Sequence, residues 1–317
     1  MASLWLRRAW LGAAAAAAVV LAACRGGTVV SEFKPSRVVA FGDAFSDLGQ
    51  NGFRYTVNNG STNVWTAQLA QSYGVPLATA AAGGTSYATG SARVATKPDA
   101  VGNAATPTVT EQIDRFLAAG APQPGDLVVL GAGVDEVIAE GAKAIAGTQS
   151  AAAAEANLRA AGKAYGAQVR RLVNAGAKHV ALAGAYNLGR SPWAGQTGSQ
   201  ALLEKLSLAF NEELLVSIVD LGSSVLYVDA ALYLNLVTGD PAAYSITDVA
   251  NPLCTSVDPG VGIGTGTGQV SSALCDGATI RGGVDPARVL WADRVYLTPI
   301  GAQLFGQYAF DRVKQRF

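Results

Sequence analysis

Short apolar runs alternate with longer amphipathic stretches from residue 37 onward. The runs at 38–41, 127–130, 179–183 and 225–228 are rich in Val, Leu and Ala and show no inside/outside alternation, and a shorter, weaker one lies near 75–78. Strands written this way are covered on both faces, as in parallel sheets. Between them, 64–73, 109–119, 151–175 and 202–221 carry apolar residues at helical spacing. The second opens on Thr108 with Glu111 three positions on, a capping-box pattern. A last helix should start at Thr298-Pro299, threonine as cap and proline in the first turn, and run to the C-terminus. Strand and helix in this order predict parallel βαβ units. The Gly/Thr/Ser-rich run 258–283 reads as a long surface loop, and no solenoid-period repeat is present.

The N-terminal pattern differs. Arg7 and Arg8 precede an apolar stretch from Ala9 to Ala23 that ends at Cys24. It is shorter than the ~20 residues of a spanning helix and reads as a targeting segment. Leu21-Ala22-Ala23-Cys24 looks like a lipobox, the bacterial lipoprotein signal in which the cysteine is acylated. An ordinary cleaved signal peptide is the alternative. The expected organisation is therefore a signal peptide over 1–23, a polar tether over 24–35, and one domain over 36–317 in the cell envelope, held to the membrane by lipid on Cys24. Arg25, in the place where aspartate marks inner-membrane retention, points to the outer membrane.

Charge narrows the partners. The 317 residues carry 23 basic and 23 acidic side chains, and without Arg7 and Arg8 the basic count is 21. A slightly acidic chain suits no polyanion, so a nucleic-acid partner is not expected. Of three cysteines, Cys24 is assigned to lipid. Cys254 and Cys275 should pair in an oxidising compartment and staple the glycine-rich loop between them. No metal site or cofactor is expected.

Phe41-Gly42-Asp43-Ala44 follows the first strand and resembles the first block of the GDSL (SGNH) ester hydrolases, which reads Phe-Gly-Asp-Ser. Further blocks follow in order. Ala81-Ala82-Gly83-Gly84-Thr85-Ser86 resembles the second, with Gly84 matching the glycine whose N–H serves the oxyanion. Ala132-Gly133-Val134-Asp135 resembles the third, Gly-x-Asn-Asp. Asp293-Arg294-Val295-Tyr296 resembles the last, Asp-x-x-His. The resemblance implies a three-layer α/β/α, flavodoxin-like SGNH-hydrolase fold with a mostly parallel sheet of about five strands.

It also implies a chemistry whose parts are missing. The family's serine attacks an ester carbonyl, a histidine takes its proton, an aspartate orients the histidine, and a glycine N–H and an asparagine amide hold the oxyanion. Here those places hold Ala44, Tyr296, Asp293, Gly84 and Val134. No alanine methyl can attack. The single histidine, His179, begins a strand, at the end opposite to where ligands gather, and is expected to be a solvated edge residue. Ser46 is a remote candidate for a substitute nucleophile.

These residues imply a lipid-anchored, catalytically inactive homologue that keeps the cleft for an acyl, ester or glycan ligand or a protein partner, with Asp43, Gly84 and Asp135 lining it. The alternative is an active carboxylic ester hydrolase with a non-standard site, for instance Asp43 or Asp293 as base for a water, or a cation held with Asp135. Asp43 and Asp135 holding loops, and Asp293 bonding backbone, is the plainer expectation.

Overall fold

The computed structural model describes residues 33–60 and 64–317. Cys24, the signal segment and most of the tether lie outside the described residues. The parallel sheet has four strands in sequence order, β1 (Arg37–Gly42), β2 (Asp126–Gly131), β3 (His179–Ala183) and β4 (Val225–Tyr227). β2 is buried throughout, as the unbroken apolar runs require.

The fifth strand expected near 75–78 is absent; the place beside β1 is taken by a later segment. Ala40 N–H donates to Thr85 O, Tyr87 N–H to Ala40 O and Thr89 N–H to Gly42 O, so residues 85–89 run parallel to β1 as an irregular edge. Thr85-Ser86-Tyr87-Ala88-Thr89 contains no run of aliphatic residues to mark it as a strand. Tertiary hydrogen bonds hold it extended.

Two helix groups flank the sheet. α1 (Trp65–Ser72) packs on the C-terminal α8 (Pro299–Arg316), while α3 (Val134–Ile145), α4 (Ala151–Asn174) and α6 (Gln200–Ile218) pack together. α2 (Val109–Ala119) lies against β1. Its capping box is present, with Glu111 N–H donating to Thr108 Oγ1 and the Glu111 carboxylate accepting from Thr108 N–H at 2.8 Å. Thr298 caps α8 by accepting from Gly301 N–H. The short α5 (Pro192–Thr197) and α7 (Ala230–Gly239) complete the α-helices among the described residues. Short pairings β5 (Asp248–Pro252) with β8 (Val289–Trp291), and β6 (Val257–Asp258) with β7 (Gln269–Val270), organise the long loop. Cys254 and Cys275 are disulfide-bonded with Cα atoms 5.8 Å apart.

Two expectations change at the base of the sheet. His179 is half-buried rather than a fully solvated edge residue: its ring stacks on Phe33 with centroids 3.7 Å apart and meets Phe317 edge-on at 5.1 Å. Burial lowers its pKa, so the imidazole packs as a neutral ring. Phe33 and the buried Pro35 therefore belong to the folded body, and the tether ends before them. Among the described residues no helix is long and apolar enough to cross a membrane.

Candidate functional site: a filled hydrolase centre

Three turns converge at the carboxyl ends of β1 and β2. The first follows β1, where Gly42 has φ +151° and a Cβ would stand 2.0 Å from Gly131 O. Only glycine lets the two strand ends approach this closely. The chain then bends through Asp43 and Ala44. The second follows β2 and enters α3 at Gly133 with φ +120°, carrying Val134 and Asp135 in the first turn of the helix. The third is the block 293–296 between β8 and α8.

The substituted positions do come together. Tyr296 Oη donates to Asp135 Oδ1. The other oxygen of that carboxylate accepts Ala44 N–H at 2.9 Å. Asp43 Oδ2 accepts Gly133 N–H at 2.8 Å and Asp135 N–H at 3.2 Å, and its Oδ1 accepts Phe45 N–H at 3.0 Å. Asp293 is likewise a backbone anchor. It accepts from Val295 N–H and Tyr296 N–H through Oδ1, and from Ser272 N–H through Oδ2. Asp43 and Asp135 thus hold the loops, and Asp293 fixes the Tyr296 turn against the disulfide loop.

The expected open cleft is not there at its centre. Asp43, Ala44, Val134, Asp135, Asp293 and Tyr296 are each at most 3 % exposed. The Tyr296 phenol occupies the space, and Tyr55 closes over it with ring centroids 5.1 Å apart. Tyr55 Oη meets Ser91 Oγ at 3.3 Å, which fixes the cover. Tyrosine is larger than the histidine it replaces and brings an apolar ring with one polar tip, so it packs where an imidazole would need hydrogen bonds at both nitrogens.

Gly84 is not at this site. Its N–H donates to Thr79 O at 2.8 Å, and its neighbour Thr85 bonds Val38 O, which places Gly84 beside the beginning of β1. The glycine at the carboxyl end is Gly90, one residue beyond the segment that pairs with β1. Its N–H is also taken, by Asp47 Oδ2 at 2.9 Å, and a Cβ there would strike the Tyr55 ring at 2.0 Å. Gly90, Asp47 and Tyr55 escaped the sequence reading. The available signal was register, since Ala40 opposite Ser86 brings position 90 level with the turn after β1.

The hydroxyl of Ser46 is enclosed and engaged. Its buried Oγ donates to Gly131 O at 2.9 Å and accepts from Trp65 Nε1 at 3.1 Å, which ties α1 to the sheet.

The electrostatics are those of acids sealed in a dry place. Burial pushes Asp43 up to about 7, against the lowering effect of the N–H groups it accepts. Burial also raises Asp135, helped by the Asp43 charge and opposed by the Tyr296 hydroxyl. Asp47 is pushed up to about 6 by burial, and Asp293 is raised for the same reason. Among the described residues no group of three or more His, Cys, Asp or Glu side chains is placed to hold a metal ion.

Comparison with known proteins agrees with this architecture. The sequence profile of the GDSL-like lipase/acylhydrolase family matches residues 38–307. Among solved structures, a member of the lipolytic protein G-D-S-L family from Veillonella parvula DSM 2008 is 11% identical. That match covers 87% of this chain and 96% of that one, at a TM-score of 0.42. No curated protein matches the sequence. With most of its length matched by the family profile, and with the family's blocks gathered at one end of a parallel sheet, the chain belongs to the GDSL lipase/acylhydrolase family.

Proposed function

We propose that this chain is a non-hydrolytic member of its family, an envelope lipoprotein anchored through Cys24, in which the former reaction centre serves as a structural knot. The observation that carries the reading is the chain of bonds Tyr296 to Asp135 to Ala44. The attacking oxygen is gone, and the one imidazole of the chain lies at the opposite end of β3. The backbone N–H groups of Ala44 and Gly90, which would face a developing oxyanion, already donate to carboxylates. Loss of a triad serine or histidine costs about 10⁶ in turnover, and loss of one oxyanion donor on the order of 10²–10³. These factors overlap, but no catalytic element is left whole. Because Tyr55 and Tyr296 fill the centre, an acyl or glycan ligand at the family's position requires both rings to move. A ligand role is better sought elsewhere on the molecule.

One observation favours the alternative, an ester hydrolase with a non-standard base. Asp43 is held near 7, where a general base works at neutral pH. Against it, Asp43 is fully enclosed and spends both oxygens on backbone N–H groups.

The test is an assay of the purified chain on p-nitrophenyl acetate and butyrate. The expected result is no turnover above buffer. Turnover that persists through purification and changes on Tyr296→Phe would overturn the reading. For the anchor, metabolic labelling with an alkyne fatty acid should mark the wild-type chain and leave Cys24→Ser unmarked.

A further inference from the structure

A second region has the opposite character from the filled centre. Between the C-terminal end of α3, the helix α5 and the glycine-rich loop 260–268 lies a groove of about 370 Å³. That is at the low end of the roughly 300–1,000 Å³ typical of small-molecule sites. Its walls are apolar, formed by Ala142, Ile145, Ala146, Trp193, Val101 and Val261.

One end of the groove is polar and incompletely satisfied. Thr265 lines it, is 8 % exposed, and has a buried hydroxyl that finds no hydrogen-bond partner among the described residues. The backbone N–H groups of Thr265, Gly266 and Thr267 donate to no oxygen of the described residues. Gly264 and Gly266, at φ +83° and +123°, set this bend of the loop. Directly behind it stands Arg294. Its Nη1 donates to Thr265 O at 2.9 Å and its Nε to Gln196 Oε1 at 2.7 Å.

Arg294 is 7 % exposed, and among the described residues it has no carboxylate within ion-pair distance. The other largely buried acids and bases pair or bond elsewhere: Arg93 with Glu136 and Glu140, Arg37 with Asp126. Asp293, the nearest acid in sequence, is committed to three backbone N–H groups. A buried cation that holds only neutral acceptors lacks its counter-ion, and such charges are ordinarily paired. Burial lowers the Arg294 pKa accordingly, with Asp293 acting the other way.

We propose that this groove binds a small amphiphilic monocarboxylate, its apolar chain along Trp193, Ile145 and Ala146 and its carboxylate taken up by the Thr265 hydroxyl and the loop N–H groups. Arg294 does not line the groove; it stands one layer behind, against Thr265 and Gly266, and its positive charge favours an anion on the other side of the loop. The inference is independent of whether the chain hydrolyses esters, since no residue of the filled centre lines the groove.

The test is titration of the full chain with sodium octanoate, with 1-octanol as the uncharged probe, followed by calorimetry and by melting temperature. Octanoate should bind saturably and raise the melting temperature, and octanol should bind at least about tenfold more weakly. Arg294→Gln should weaken octanoate by a similar factor and leave octanol unchanged. Since Arg294 also ties α5 to the loop, Ala146→Phe provides a second arm. It fills the groove from an exposed position and should weaken both probes without altering the melting temperature of the free chain. Equal binding of octanoate and octanol, or octanoate binding untouched by Ala146→Phe, would overturn the proposal.

Discussion

The filled centre and the Arg294 groove lie on either side of one short segment, Asp293 to Tyr296, yet they follow opposite rules. At the centre the carboxylates are answered from within the chain: Asp43, Asp47 and Asp135 collect the N–H groups of Ala44, Phe45, Gly49, Gln50, Gly90, Gly133 and Asp135, and Tyr296 completes the set. At the groove a hydroxyl and three loop N–H groups, with the Arg294 cation one layer behind them, have no anion among the described residues. Groups that satisfy each other in a dry interior stabilise a fold and bind nothing. Groups left unmatched beside an open cavity are where a ligand gains most.

The contrast can be broken most directly at Tyr296. Tyr296→Ala empties the centre and strips Asp135 of its donor, and should cost about 3–5 kcal/mol in urea unfolding. A loss below about 1 kcal/mol would mean that the ring does not hold the turns together. Next in size is the disulfide, because the groove loop 260–268 lies inside the segment closed by Cys254 and Cys275. Replacing both cysteines by serine should cost about 3 kcal/mol and weaken octanoate binding, while leaving the Tyr296 to Asp135 bond in place. Equal octanoate affinity in the reduced form would detach the groove from its staple.

The pH dependence of stability sharpens the same point. Asp43 and Asp47 have folded pKa values near 7 and 6, above the ordinary carboxyl value of 3.8. In the window between about pH 4 and 7 the folded chain therefore binds more protons than the unfolded one. Stability should fall as pH rises through that window, by on the order of a few kcal/mol. Urea midpoints at pH 5 and pH 8 check this, and a midpoint that rises with pH would contradict the sealed-acid description. Glu140, lowered to about 2 by Asn157, Gln149, Lys143 and Arg93 against its own burial, contributes the opposite slope only below about pH 4.5.

The smallest expected effect is a gain. Ala44→Ser, Val134→Asn and Tyr296→His together restore the family's residue types, but Tyr55 still presses on Gly90. The triple variant should show little turnover of p-nitrophenyl acetate, and adding Tyr55→Ala should increase it. Silence in both would mean that the carboxylates on the Ala44 and Gly90 N–H groups, rather than the rings, keep the centre closed.

Much of the architecture was legible in local sequence. Unbroken apolar runs placed the four strands of the main parallel sheet, and Thr108 with Glu111 and Thr298 with Pro299 placed two helix starts, because strand burial and capping depend on residues close in the chain. The motif spacing also marked positions 44, 134 and 296, which the fold does bring to one place. What was misread depended on contacts between distant residues. Gly84 matches the second block by its residues, but the order of residues does not show which oxygen a glycine N–H meets, and in the fold Gly84 donates to Thr79 O while Gly90 lies at the carboxyl end. His179 was placed in solvent because Phe33 and Phe317, which enclose it, are 146 and 138 residues away.

The sequence alone determined that alanine, valine and tyrosine stand at positions 44, 134 and 296 of a GDSL-family chain, since residue identity is fixed by the order of residues and by nothing else. Only the tertiary structure decided that this end of the sheet is packed shut instead of left as a cleft, and that Arg294 is buried with no ion-pair partner among the described residues. Both depend on desolvation and on which distant groups meet, and burial has no local signature in the order of residues.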